Sequence, residues 1–301
     1  MNTFFSYIYN KSQQYNFHTN TLGLIRSLLA LSSLLFLLFN PIDILFHTGL
    51  GVPNIPNCEN TVLSSINLFC IFSFNLYLAK IVAIIILIFI ILGYFPKFTG
   101  ILHFWVAFSI NTGLITIDGG AQVTSVLTFL IIPLTLTDNR INHWYHSIKQ
   151  KSEYYKIISY LTILVLKIQI AYIYFDAAIS KIYAHNWTEG TALYYFINDP
   201  ISGASGIRLN LLNLIFDFPL FLIITTYFII LLELTLAFSL FTTNNRIKYK
   251  LFILGMLFHI LIFLIFGIFT FVIAMFSALL LLLLPTEKEL NKNLFLKHSL
   301  K

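Results

Sequence analysis

The stretch YFDAAISKIYAHNWTEGTALYY, residues 174 to 195, ends a run otherwise fit for lipid with chemistry-bearing side chains. Lys181 stands about one turn from the expected end of a helix, followed by Trp187, Glu189 and Gly190 and preceded by Asp176. Two readings of Lys181 follow from its type and place. It is a lysine that snorkels to the interface beside an interfacial tryptophan, or a desolvated amine whose lowered pKa lets it act as a base. The sequence leaves both open.

Three further groups sit where a charge or a proton donor is costly. Lys167 falls in the middle of the same apolar run, where an ionised side chain costs at least ~2.5 kcal/mol on insertion scales and calls for a partner. Glu233, near the middle of another apolar window, is the expected counter-ion by depth, so a Lys167/Glu233 structural ion pair is anticipated. His259 stands at the centre of GMLFHILIFLIFGIFTF. It reads as a neutral histidine bonded to a neighbouring helix, or as a proton relay and catalytic group. No second histidine lies three or four residues away, and no metal site is expected. Asp118 precedes two glycines, the chemistry of a tight turn, and is also a candidate for a cavity at the outer surface. Cys58 and Cys70 are too few for a disulfide scaffold, yet both are expected outside, where a bridge between them is chemically permitted. Soluble phosphate-binding, serine-hydrolase and zinc-protease motifs are absent.

The elements that must hold these groups are helices in a bilayer. Of the 301 residues, 58% are hydrophobic and only 10% charged, and the mean hydropathy is +0.85. Apolar windows fall at about 22–39, 77–93, 101–117, 122–137, 158–183, 217–241, 251–266 and 268–285, each near the length that crosses ~30 Å of hydrocarbon as helix. The expected fold is all-α, a single polytopic transmembrane bundle of about eight helices filling 1–301. Long Leu, Ile and Phe runs argue against a barrel.

The net charge of +6 follows topology rather than nucleic acid, which is not expected as a partner. With the N-terminus inside, thirteen of the eighteen Lys and Arg fall in inner segments, four within helices, and only Arg208 outside. Both termini are therefore expected in the cytoplasm, in a multi-pass protein of the bacterial inner membrane. Two long outer segments, 40–76 and 184–216, are where function is expected to concentrate.

On the fifth window, a projection at 100° per residue separates a lipid-facing stripe from an inward one. Leu161, Leu164, Ile168, Phe175, Ile179 and Ile182 form the first; Lys167, Ala171, Tyr174, Ala178 and Lys181 form the second. Small residues on the inward stripe let a neighbouring helix approach. Gln169, Asp176, Ser180 and Tyr183 make a third, polar stripe.

The fragments LIRSLLALSSLLFLLFN, SINLFCIF, FPKFTGILHFWVAFS and IDGGAQVTSVLTFLIIPLTLTDNRINHW resemble the sporulation-delaying family typified by SdpB, over nearly the whole chain. The resemblance implies membership of a wider set of membrane domains, called HTTM, which are in turn similar to the membrane part of vitamin K-dependent gamma-carboxylases. The resemblance implies that Lys181 matches a base acting on a quinone, that Trp187 and Gly190 match positions after it, and that His259 matches a recurring histidine. A lipid quinone is the cofactor this implies. The carboxylases' large soluble region has no counterpart among these residues, so glutamate carboxylation is not implied. The SdpB side of the resemblance implies production or maturation of an exported antimicrobial peptide of the SdpC type, acting on a toxin precursor with a small SdpA-like partner. A transporter or immunity protein that captures the peptide without chemistry is the alternative.

Overall fold

The computed structural model describes residues 3–46, 55–58, 61–146, 152–200 and 202–290. All regular structure among them is helical, apart from one isolated antiparallel bridge between Tyr94 and Asn142. In chain order the helices are α1 Thr3–Gln14, α2 Asn20–Phe39, α3 Ile42–Leu45, α4 Thr61–Ser64, α5 Leu68–Ile71, α6 Leu76–Leu92, α7 Pro96–Gly113 and α8 Gly119–Leu136. They continue with α9 Glu153–Tyr183, α10 His185–Thr188, α11 Ala192–Ile197, α12 Ile207–Phe216, α13 Pro219–Phe238, α14 Asn245–Phe266 and α15 Phe269–Leu283. The end of the bundle that carries α1 is called proximal below, and the opposite end distal.

Each of the eight apolar windows holds a long helix, and side-chain caps move the boundaries. Ser152 accepts from the Tyr155 amide and starts α9 five residues before the expected position. Asn244 accepts from the Arg246 and Ile247 amides and starts α14 six residues early. Such side-chain oxygens satisfy amides that the first turn leaves without a partner. The α7 helix runs from Pro96 to Gly113 rather than over 101–117, because proline at the first position presets the helical φ. Gly267, at φ 79°, divides the long apolar run after residue 245 into α14 and α15. A left-handed residue closes a helix at little cost only when it lacks a Cβ.

Among the described residues, five helices are long and apolar enough to cross a membrane: α2, α8, α9, the α13 helix extended to Phe241, and α14. The α6 and α15 helices are apolar but shorter, at 17 and 15 residues. The α7 helix has 18 residues and interrupts its apolar run with Lys97, His103 and Asn111.

Two cores organise the bundle. The larger gathers buried side chains of α2, α8, α9, α13 and α15, including Leu29, Leu127, Leu166, Leu236 and Leu279. The other joins α2, α6 and α7 with the short distal helices α3 and α5 through Leu37, Leu45, Phe69, Ala83 and Ile110. Close approach of helices is bought with small residues: at Gly100 an added Cβ would overlap Thr135 of α8.

The proximal end is tied by a polar knot. Arg140 pairs with Asp138 at 2.7 Å, both buried, and donates to the carbonyls of His143 and Tyr145. His18 Nε2 lies 3.0 Å from Thr137 Oγ1. Fully buried Arg26 of α2 donates to His143 Nδ1 at 3.1 Å and to Thr99 Oγ1 at 3.2 Å. Because Nδ1 accepts from a guanidinium, the His143 proton sits on Nε2, where it reaches Ser27 Oγ at 3.1 Å.

Candidate functional site

The helices α9 and α13 pack antiparallel, with Phe175 meeting Phe238 edge-on at 6.3 Å. That register carries Lys181, in the last turn of α9, to Glu233 of α13. Lys181 Nζ donates to Glu233 Oε1 at 2.8 Å and to the carbonyl of Ala177 at 3.2 Å. The side chains are 21% and 7% exposed, respectively. The Lys181 ammonium also lies 5.1 Å from the centre of the Trp187 ring, a separation at which the ring's quadrupole attracts a cation. Lys181 therefore does not snorkel; it turns into the protein and takes a carboxylate as its partner.

This pairing replaces the expected Lys167/Glu233 pair. Lys167 is fourteen residues before Lys181 on α9, about 21 Å along the helix, and the charges acting on it are Lys248 and Glu287. The single carboxylate of α13 cannot serve both lysines, and the packing register decides for Lys181.

One face of α9 then carries a second polar contact. Tyr174, two turns before Lys181, places its hydroxyl 2.9 Å from His259 Nε2 on α14. His259 is buried and stacked edge-on against Phe271 at 5.5 Å. Lys181–Glu233 and Tyr174–His259 thus lie along one stripe of α9, facing α13 and α14. Two acceptor or donor positions remain without hydrogen-bond partners among the described residues: Glu233 Oε2 and His259 Nδ1. Chemically, the stripe offers an ammonium donor, a carboxylate with a free oxygen and a hydroxyl–imidazole pair, all in a medium where such interactions are strong.

Trp187 and Gly190 fold back over this end of α9. Trp187 is buried with Ala178, Ala192 and Ile230. Gly190 adopts φ 74°, and an added Cβ would sit 3.0 Å from Ile223; its carbonyl accepts from Thr226 Oγ1 at 3.1 Å. Beside the pair, a groove of about 290 Å³ is lined by Ile182, Thr188, Tyr227, Ile230, Leu231 and Leu234. Its one hydroxyl-bearing ring, Tyr227, is bonded to the Thr188 carbonyl at 2.6 Å, leaving the walls apolar.

Three expected members stand apart. Asp118 caps α8 by accepting from the Ala121 amide at 2.8 Å, and also accepts from the Thr270 hydroxyl of α15; it works as a helix cap rather than as a cavity wall. Asp176 is exposed, 140° round α9 from Lys181. Glu189 is exposed and paired with His185 at 3.1 Å, one turn earlier. Cys58 and Cys70 form a disulfide with their Cα atoms 5.9 Å apart. No group of three or more metal-ligating side chains occurs among the described residues.

Tyr174 was visible in the sequence as a member of the inward stripe, but nothing there joined it to His259. The buried Arg26, His103 and His143 were likewise not legible as a cluster. His103 of α7 is fully buried, and neither ring nitrogen has a hydrogen-bond partner among the described residues.

The chain is 39% identical over 284 residues to the sporulation-delaying protein SdpB of Bacillus subtilis (strain 168), an alignment covering 93% of this chain and 85% of the relative. The chain belongs to the SdpB family. A second relative, the uncharacterized protein YitO of the same strain, is 34% identical over 277 residues, covering 91% of this chain and 88% of its own. No family model matches, and no solved structure matches. The site residues of this SdpB-family chain, from Tyr174 to His259, all lie within the span these alignments cover in length.

Proposed function

We propose that this protein is a multi-pass component of the bacterial cell membrane that serves production of an exported antimicrobial peptide toxin, with the Lys181–Glu233 pair at its working centre. The proximal end, with Lys11, Lys97, Arg140, Lys156, Arg246 and Lys248, is the cytoplasmic one under the positive-inside rule. The distal end, with the Cys58–Cys70 disulfide, then faces an oxidising compartment.

The observation that carries this reading is the ion pair itself. A lysine and a glutamate are placed 2.8 Å apart between helices long and apolar enough to span, where charged side chains are costly and mark functional paths. Glu233 Oε2 has no partner among the described residues and can accept from a peptide N–H, while the Lys181 ammonium can donate to a peptide carbonyl. The substrate is then a hydrophobic peptide precursor whose backbone enters between α9 and α13. The test compares the mass and yield of exported peptide from cells carrying the native chain, Lys181→Met and Glu233→Gln. Loss of mature peptide in both variants, at normal levels of the membrane protein, supports the proposal. Unchanged mass and yield would sink it.

The groove beside the pair favours one second reading. Its apolar walls and volume suit the ring and first isoprene units of a lipid quinone better than a polar cofactor. Ile230, Leu231 and Leu234 would hold such a molecule, which would supply redox chemistry beside Lys181. Solvent extraction of the purified protein should then release a quinone that Leu231→Trp, filling the groove, displaces. Protein free of quinone that still supports peptide production excludes this reading.

A further inference from the structure

The helix α13 begins well before it meets α9. Tyr183 ends α9 near the level of Ile230, so residues 219–229, about 16 Å of α13, have no α9 beside them. Helices α10, α11 and α12 occupy that place. Thr226 bonds to Gly190, Tyr227 bonds to Thr188, and Leu222 packs with Leu193, Ile197 and Ala204.

Of these three helices, α12 is apolar on two sides. Leu209, Leu212 and Phe216 turn inward onto the cluster of Leu193, Ile197 and Leu222. Ile207, Leu211, Leu214 and Ile215 lie on the opposite arc, with Ile207 79% and Leu214 66% exposed. Of its polar side chains, Asn213 exchanges hydrogen bonds with Asn198 and Arg208 donates to the Ile265 carbonyl at the end of α14, which leaves the exposed, uncharged Asn210 at the margin of the outward arc. A helix with apolar residues on both faces is at home in hydrocarbon rather than on a water-exposed surface. Yet its ten residues give only about 15 Å, half of what a span requires. On α13, against which α12 packs through Leu222, Leu220 and Ile224 are exposed as well.

We propose that residues 184–200 and 202–217 form a membrane-seated, non-spanning cap, with the outward face of α12 resting on acyl chains of the distal leaflet. This rests on the membrane placement of α13 and α14 set out under the proposed function. The cap completes the distal half of the α9 layer, so the Lys181–Glu233 pair lies beneath folded protein rather than at the membrane surface. Lipid is the occupant because the outward arc of Ile207, Leu211, Leu214 and Ile215 carries no ionisable side chain, the α13 helix on which α12 packs exposes Leu220 and Ile224 in the same way, and α12 is too short to be a crossing helix. The turn at Asp199, which accepts from the Ser202 amide at 2.7 Å, supplies the polar reversal between α11 and α12.

The experiment places an environment-sensitive fluorophore on Leu211→Cys, Leu214→Cys and Ile207→Cys in lipid nanodiscs. The native cysteines are held in their disulfide and do not react without reduction. Leu261→Cys, on the exposed face of α14, serves as the reference. The proposal expects nitroxide-labelled lipid to quench the α12 positions as it quenches the Leu261 position, with iodide ineffective at both. Quenching of α12 by iodide, or shielding from both quenchers as a protein partner would give, overturns the cap while leaving the membrane reading intact. Iodide quenching at Leu261 itself would overturn that reading, and the cap with it. Three independent cap positions keep the result interpretable should any one variant misfold.

Discussion

Lys181 and Glu233 meet at 2.8 Å across α9 and α13, with the Trp187 ring 5.1 Å from the ammonium. Two opposite charges withdrawn from water hold one another at a cost that neither bears well alone. Removing one partner of such a pair leaves an uncompensated buried charge, whereas replacing both by apolar groups is often neutral.

Glu233→Leu alone should therefore destabilise the protein by roughly 3–5 kcal/mol, and Lys181→Met alone by a similar amount. The double variant Lys181→Met/Glu233→Leu should recover most of that loss in stability and none of the peptide production. Denaturant unfolding of the four proteins in detergent measures the first part, and peptide mass spectrometry the second. A double variant as unstable as the worse single one would show that the two charges do not act as a pair.

The Tyr174–His259 contact gives a separate expectation. Tyr174→Phe removes the hydroxyl 2.9 Å from the imidazole and leaves a second ring nitrogen of a buried histidine unsatisfied, a loss of roughly 1–3 kcal/mol. His259→Phe in the Tyr174→Phe background should lose less than it does in the native protein. A double-mutant cycle reads the coupling, and strictly additive effects would mean that the hydrogen bond contributes nothing.

The long helices were legible because lipid demands continuous apolar runs, and the break between the last two was written in Gly267; the starts of α7, α9 and α14 were missed, because Pro96, Ser152 and Asn244 set them in polar sequence ahead of the apolar runs. The inward stripe of α9 was legible for a similar reason: Ala171 and Ala178 recur with Tyr174 and Lys181 at helical spacing. The partner of Lys181 was not. Counting depth from helix ends assumes that neighbouring helices begin and end together, and α13 starts eleven residues above the end of α9. That offset exists because the short helices α10, α11 and α12 fill the place beside the start of α13. In sequence these look like a long loop, since α10 and α11 are too short to show periodicity and α12 is apolar on both sides.

Gly190 gives a prediction about the cap's hinge. Its φ of 74° lies in the left-handed region, and a Cβ there would press on Ile223 at 3.0 Å. Gly190→Ala should cost about 1–2 kcal/mol from the backbone conformation alone. Any shift of the backbone that relieves the contact also disturbs the Thr226 hydrogen bond to the Gly190 carbonyl. A thermal unfolding midpoint for Gly190→Ala equal to that of the native protein would show that this turn is not held in the left-handed form. Ile223→Ala combined with Gly190→Ala relieves the side-chain contact but not the φ, so it separates the two causes.

The proximal knot should make stability depend on pH. Burial depresses the pKa of His18 below its ordinary value of 6.5, the charge of Asp138 opposing this and that of Arg140 adding to it. Burial also pushes His143 far down, reinforced by the charges of Arg26 and Arg140. Both folded-state values lie below the unfolded one, so below pH ~6.5 the unfolded chain binds protons that the folded chain excludes. The stability these residues confer is complete above that pH and falls as pH drops, by up to ~1.4 kcal/mol per unit for each histidine. Unfolding free energy measured in detergent from pH 8 to pH 5 should therefore decline toward acid. The decline should be shallower in His143→Gln, because glutamine cannot take up the proton that the unfolded histidine binds. A native profile that is flat, or that rises toward acid, would show that His18 and His143 are not held neutral in the knot.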